Sequence, residues 1–145
     1  MIALASDHAG FAYKEKAKEL LTSLKIPFKD FGTQSTEASD YPDYAHAAAV
    51  SISQGECDRG IFICGTGVGM SIVANKHKGV RAAAVESVLA TEFARRHNNA
   101  NVLCLGERLL KWEMAQKIIT TFLDTGFEGG RHERRVNKIH SLTSC

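Results

Sequence analysis

Proline occurs only twice in this 145-residue chain, at Pro27 and Pro42, and no Pro-, Gly- or Ser-rich tract divides it. That scarcity excludes a low-complexity linker or a polyproline module, and one domain spanning residues 1–145 is expected. No stretch approaches the roughly 20 consecutive apolar residues of a membrane span. The first residues run from Met1 to Asp7-His8 without the basic region and apolar core of a secretory signal. The four cysteines, at 57, 64, 104 and 145, never form a C-x-x-C pair. A chain long enough to bury a full core has no need of a disulfide framework, so a cytoplasmic protein is expected. Excess charge is missing too. Eighteen Lys and Arg against 16 Asp and Glu leave +2, which argues for neither a nucleic-acid partner nor a membrane surface. None of the six histidines falls in H-x-x-x-H or H-x-H spacing, so no metal site is expected.

What the chain does have is glycine in one telling place. Residues 60–63 are an apolar, β-rich run suited to a strand buried on both faces. Cys64-Gly65-Thr66-Gly67-Val68-Gly69-Met70-Ser71 follows at once, with three glycines at alternate positions. A helical pattern resumes near residues 71–77. A strand, a glycine turn and a helix start aim unpaired backbone N–H groups at one point, where an anion can sit. Cys64 stands at the lip of that cradle, and a helix N-terminus is where a thiolate is stabilised. A cysteine base beside a cradle for developing negative charge is the working reading.

Around this stretch, strand and helix patterns alternate. Strands are expected at 2–5, 28–31, 60–63, 80–85 and 102–105, with helices between them and a last helix over 131–142. Five such strands predict a doubly wound, three-layer α/β/α sandwich with a parallel, flavodoxin-like sheet in the order 2-1-3-4-5. Ligands in such sheets bind beyond the carboxyl ends of the strands, where the winding reverses between strands 1 and 3. Asp7-His8 and Cys64-Gly65-Thr66 lie at those two ends.

Each signal has a duller reading. The glycine loop is G-x-G-x-G after the third strand, not the G-x-G-x-x-G of a dinucleotide site after the first, although Glu86 at the next strand's end keeps that reading open. No Gly-Lys-Ser/Thr follows, which excludes a P-loop. Asp7 suits a plain helix cap. Cys104, between Leu103 and Leu105, reads as a small core residue. His46, His77, His132 and His140 read as helix-surface residues, whereas His8 and His97 sit at element ends among polar neighbours. Arg131 and Arg135 are spaced i,i+4, so two guanidinium forks share a helix face, the geometry that suits a phosphate.

Taken in order, several segments resemble ribose-5-phosphate isomerase type B, in the group that also holds the galactose-6-phosphate isomerase subunits. They are Ser6-Asp7-His8-Ala9-Gly10-Phe11, Asp40-Tyr41-Pro42, Cys64 to Gly69, Ala74-Asn75-Lys76, Arg96-His97-Asn98, Asn101-Val102-Leu103, and Gly129-Gly130-Arg131-His132 with Arg135. The resemblance implies a cofactor-free aldose–ketose isomerase of the pentose phosphate pathway, interconverting ribose 5-phosphate and ribulose 5-phosphate through an enediolate. By position it makes Cys64 the base that moves the proton. It gives Gly65, Thr66, Gly67, Val68, Gly69 and Ser71 the enediolate oxygens, and His97 the ring opening, helped by Asp7. Tyr41 and Asn98 match residues lining the sugar, and His8, Arg108, Arg131 and Arg135 match those holding the phosphate. One branch of the family replaces the cysteine by a glutamate at the position of Met70; Cys64 with Met70 places this chain in the cysteine branch. An isomerase of allose or galactose 6-phosphate, and a non-catalytic sugar-phosphate or nucleotide module, stay open beside it. Because the fourth helix runs back from its strand, His97 should emerge at the edge opposite Cys64. A homodimer with shared active sites, or a tetramer, is therefore expected, with helix 131–142 packed on a partner.

Overall fold

The computed structural model describes residues Met1–Cys145. Five parallel strands form the sheet: β1 (Ile2–Ser6), β2 (Phe28–Asp30), β3 (Arg59–Cys64), β4 (Ala82–Ala84) and β5 (Val102–Gly106). Six helices accompany them: α1 (Phe11–Ser23), α2 (Tyr41–Ser53), α3 (Val68–Ala74), α4 (Val88–Asn98), α5 (Trp112–Asp124) and α6 (Arg131–Thr143). No helix is long and apolar enough to cross a membrane.

Side-chain alternation along the strands sorts the core into two layers. Ile2 and Leu4 of β1, Ile61 and Ile63 of β3, and Leu103 and Leu105 of β5 point to one face, where they pack with Ala17 and Leu21 of α1 and Ile118, Ile119 and Phe122 of α5. Ala3, Ala5, Phe62, Cys64, Val102 and Cys104 point to the other, against Ala45, Ala48 and Ala49 of α2 and Met70 and Ala74 of α3. Alanine facing alanine lets α2 lie close on the sheet, which brings the start of that helix beside the end of β3. The doubly wound sandwich is as the strand–helix alternation predicts.

The strand order differs from expectation in one respect. It is β2-β1-β3-β5-β4, not 2-1-3-4-5. All five residues of β5 are buried, whereas β4 is three alanines, two partly exposed and one exposed. A strand apolar on both faces belongs inside a parallel sheet, and a short, half-exposed one belongs at its rim. The chain therefore crosses over β5's place through α3, lays down β4 at the edge, and returns through α4. This order has a consequence for the site, because it sets the carboxyl end of β5 directly beside Cys64.

One helix start also shifts. α3 begins at Val68 instead of near residue 71, with Gly67 at φ +78° just before it, a left-handed turn that glycine adopts without strain. α2 begins at Tyr41, where Pro42 occupies the first turn and its missing N–H costs nothing.

Candidate active site

A cleft of about 220 Å³ opens beyond the carboxyl ends of β1 and β3. Asp7, His8 and Ala9 line one wall, Cys64, Gly65, Thr66 and Gly69 the floor, and Tyr41 and Arg108 the rim. Eight of those nine are residues the sequence pointed to. A larger cavity of about 410 Å³ lies elsewhere, between α4, α6 and the β4 edge. Its walls carry no nucleophile beside a cradle of backbone donors, whereas the smaller cleft has both in Cys64 and the loop after it.

Cys64 ends β3 at 5% exposure, and its Sγ accepts a hydrogen bond from the Gly67 N–H at 3.1 Å. A bond of this kind strengthens as sulfur takes on negative charge. Val68, Gly69 and Met70 form the first turn of α3, where N–H groups lack partners within the helix. The Val68 N–H goes to Thr66 Oγ1 at 3.3 Å, and the Ser71 hydroxyl turns back to the Val68 carbonyl at 2.8 Å. The loop thus holds its shape through its own polar groups. Cys104, one strand over, is a different thiol: burial first, and then the proximity of Cys64, push its pKa far above the usual thiol range. It is a core residue, as read.

The neighbouring elements aim the walls. Asp7 caps the 3-10 turn His8–Gly10, its Oδ1 accepting from the Ala9 N–H at 3.0 Å and the Gly10 N–H at 3.2 Å. Any Cβ at Gly10 would stand 2.3 Å from the Ile63 carbonyl oxygen, so only glycine lets this turn lie against β3. His8 is oriented from the loop before α2. Its Nδ1 lies 3.1 Å from the Ser39 N–H and 3.2 Å from the Ser39 carbonyl, and the His8 N–H donates to Ser39 Oγ at 3.1 Å. Ser39 lies 31 residues away and carries no motif, so sequence reasoning passed over it. The Glu107 and Arg108 N–H groups donate to the carbonyls of Cys64 and Gly65, at 2.9 and 3.1 Å, and place Arg108 over Gly65. Pairing β5 with β3 is what delivers that arginine.

Four expected site residues lie away from the cleft. His97 and Asn98 end α4, with Asn98 lining the larger cavity, and Arg131 and Arg135 stand exposed on α6. His132, expected on a helix surface, is buried, and its ring lies on that of His97. Together with Glu128 these histidines place three ligand atoms within 4.8 Å of one another. Their rings are stacked 9° from parallel, however, so their in-plane lone pairs do not converge on one ion.

Fold and cleft together define a class: a doubly wound α/β protein with an anion cradle built around a thiol at the switch point of the sheet. Comparison narrows it. The model of the ribose/galactose isomerase family matches residues 2–139, and the chain belongs to that family. Ribose-5-phosphate isomerase B of Escherichia coli strain K12 is 42% identical over 141 residues, covering 97% of this chain and 95% of the relative. The structure of ribose-5-phosphate isomerase B from Clostridium thermocellum superimposes with a TM-score of 0.97 at 43% identity, covering 99% of this chain and 97% of that one. The enzyme of the same name from Mycoplasma genitalium, solved with bound ribulose 5-phosphate, gives a TM-score of 0.95 at 43% identity over 99% of this chain and 95% of that one.

Proposed function

We propose that this protein isomerises ribose 5-phosphate and ribulose 5-phosphate without a cofactor, with Cys64 as the base. The observation that carries this is the Gly67 N–H resting on Cys64 Sγ at the floor of a cleft whose rim holds Arg108 and whose wall holds His8. Cys64 as thiolate takes the proton from C2 of the open-chain aldose. The electrons move through the C1–C2 bond onto the carbonyl oxygen and form an enediolate. Thr66 and the backbone from Gly65 to Ser71 stabilise its oxygens, a proton passes from O2 to O1, and Cys64 returns its proton to C1 as the C2 carbonyl forms. A positioned base typically contributes 10²–10⁴-fold, and each preorganised donor about 10²–10³. His8 and Arg108 hold the phosphate, with Tyr41 over the sugar. A thiol that must stay reduced to act suits the cytoplasm.

The site is completed by a second copy of the chain. Exposed apolar residues recur at helical spacing on three helices: Val68 and Ile72 on α3, Leu89 and Phe93 on α4, Ile139 and Leu142 on α6. Such faces mark association surfaces. A twofold pairing through them brings His97, Asn98, Arg131 and Arg135 of one copy to the cleft of the other, each chain remaining one domain whose α6 packs across the interface. His97 then opens the furanose, helped by Asp7.

The test is an isomerase assay of the purified protein on ribose 5-phosphate, allose 6-phosphate and galactose 6-phosphate. A kcat/KM highest for the pentose supports the proposal. A preference for either hexose would reassign the substrate, and no turnover of any would leave a binding module.

A further inference from the structure

His132 is 7% exposed and shares the inward side of α6 with Val136, 6% exposed. Its ring sits flat on His97, with centroids 4.2 Å apart and planes 9° from parallel. Phe93, one turn back along α4, brings a second ring against His97 at 4.9 Å and 26°. His97 is thus gripped by aromatic groups from two helices. Glu128 ties the arrangement to the end of α4: its N–H donates to the Arg96 carbonyl at 3.1 Å, and its Oε2 lies 3.6 Å from His132 Nε2. A solvated histidine at a helix end would sample several rotamers. This one is held in a single plane.

We infer that His132 is a positioning residue for sugar-ring opening: its stacked ring holds the His97 imidazole with one edge outward, ready to exchange a proton with the furanose oxygen. This rests on the reading of His97 as the ring-opening residue. The charged groups facing the pair are Glu92 and Arg96 on α4, Glu128 before α6, and Arg131 and Arg135 on α6. Burial, then His97 and Arg131, lower the His132 pKa against the opposing pull of Glu128. The shift favours the uncharged form of the His132 ring.

An aldose that cannot close its ring separates this role from a merely structural one. Ribose 5-phosphate is a closed furanose that must open before C2 can be deprotonated, whereas 4-deoxyribose 5-phosphate lacks the hydroxyl that closes the ring and arrives open. The overall equilibrium is fixed, so the two directions of the ribose 5-phosphate reaction fall together in any variant. His132→Leu keeps the buried volume and removes the aromatic plane; His132→Phe keeps the plane. The expected result for His132→Leu is a loss of about 10–100-fold in kcat/KM on ribose 5-phosphate with that on the 4-deoxy aldose held within about twofold, and for His132→Phe a recovery to within about threefold. Equal losses on both aldoses, or no loss on either, would overturn the inference. If the unaltered protein ran in neither direction, the isomerase reading itself would fall and take this role with it.

Discussion

Replacing Gly67 by alanine strikes the backbone that carries the thiol's hydrogen-bond donor. The residue has φ +78°, a conformation that costs an L-residue roughly 1–2 kcal/mol. The added Cβ would also stand 3.0 Å from the Leu105 carbonyl carbon and amide nitrogen and 3.1 Å from the Cys104 carbonyl carbon. Those atoms belong to a central strand and cannot rotate aside, so about 1–3 kcal/mol of overpacking adds to the conformational cost. The sum is roughly 2–5 kcal/mol of stability. Gly55 supplies the control. Its φ is +77° with nothing within 4 Å of a Cβ, so Gly55→Ala should lose the conformational share alone. The unfolded-state effect of glycine replacement is common to both and cancels. Urea unfolding at one protein concentration, with unchanged m-values, gives the two losses. Gly67→Ala should also lose kcat by about 10²–10³, because its N–H leaves Cys64 Sγ. Equal unfolding midpoints for the two variants, together with intact kcat, would refute both the tight approach to β5 and the donor role.

Two further outcomes follow from the same geometry. Mixing inactive Cys64→Ala and His97→Ala chains under conditions of subunit exchange should restore part of the activity, since one site of each mixed dimer has both residues; no recovery after confirmed exchange would remove the shared-site arrangement. Asp30→Ala should cost about 1–3 kcal/mol, because it takes away the carboxylate 2.5 Å from the fully buried Lys14 ammonium and leaves Glu15, 3.2 Å away, as its partner. Burial raises the Asp30 pKa, but Lys14, the Gly32 N–H and Lys18 outweigh it and hold the carboxyl below its usual value. Its contribution is therefore complete above about pH 4, the unfolded value, and fades as pH falls through the lower folded one. The acid side of a stability–pH curve should be shallower in Asp30→Ala, and an unchanged slope would show that Asp30 does not titrate in this way.

The parts of the site that were legible in sequence are those written in local chemistry. Cys64 with three alternate glycines announces a bent backbone with free donors, and Asp7-His8 at a strand end needs only the topology to meet it. Arg108 was legible only through family likeness, since its place depends on β5 lying next to β3. Even so, the five apolar residues of β5 against the alanines of β4 carried the clue to that order, because burial on both faces demands a central position. The start of α3 was misread because glycine weakens helical propensity, whereas the left-handed turn at Gly67 and the packing of Met70 and Ala74 on the sheet override it. Ser39 left no trace, and His132, although inside a family-like segment, read only as a helix-surface residue. Their partners, His8 and His97, are 31 and 35 residues away in sequence, and no spacing rule connects side chains that meet only through tertiary packing.

The proton transfer that we propose for Cys64 can be watched directly. In D₂O, NMR of ribose 5-phosphate follows loss of the C2 proton as the enediolate exchanges with solvent. For Cys64→Ala the exchange and the turnover should fall together by about 10²–10⁴-fold while a phosphorylated acid analogue of the enediolate still binds. A Cys64→Ala protein that exchanged the C2 proton at the rate of the unaltered enzyme would show that some other group is the base.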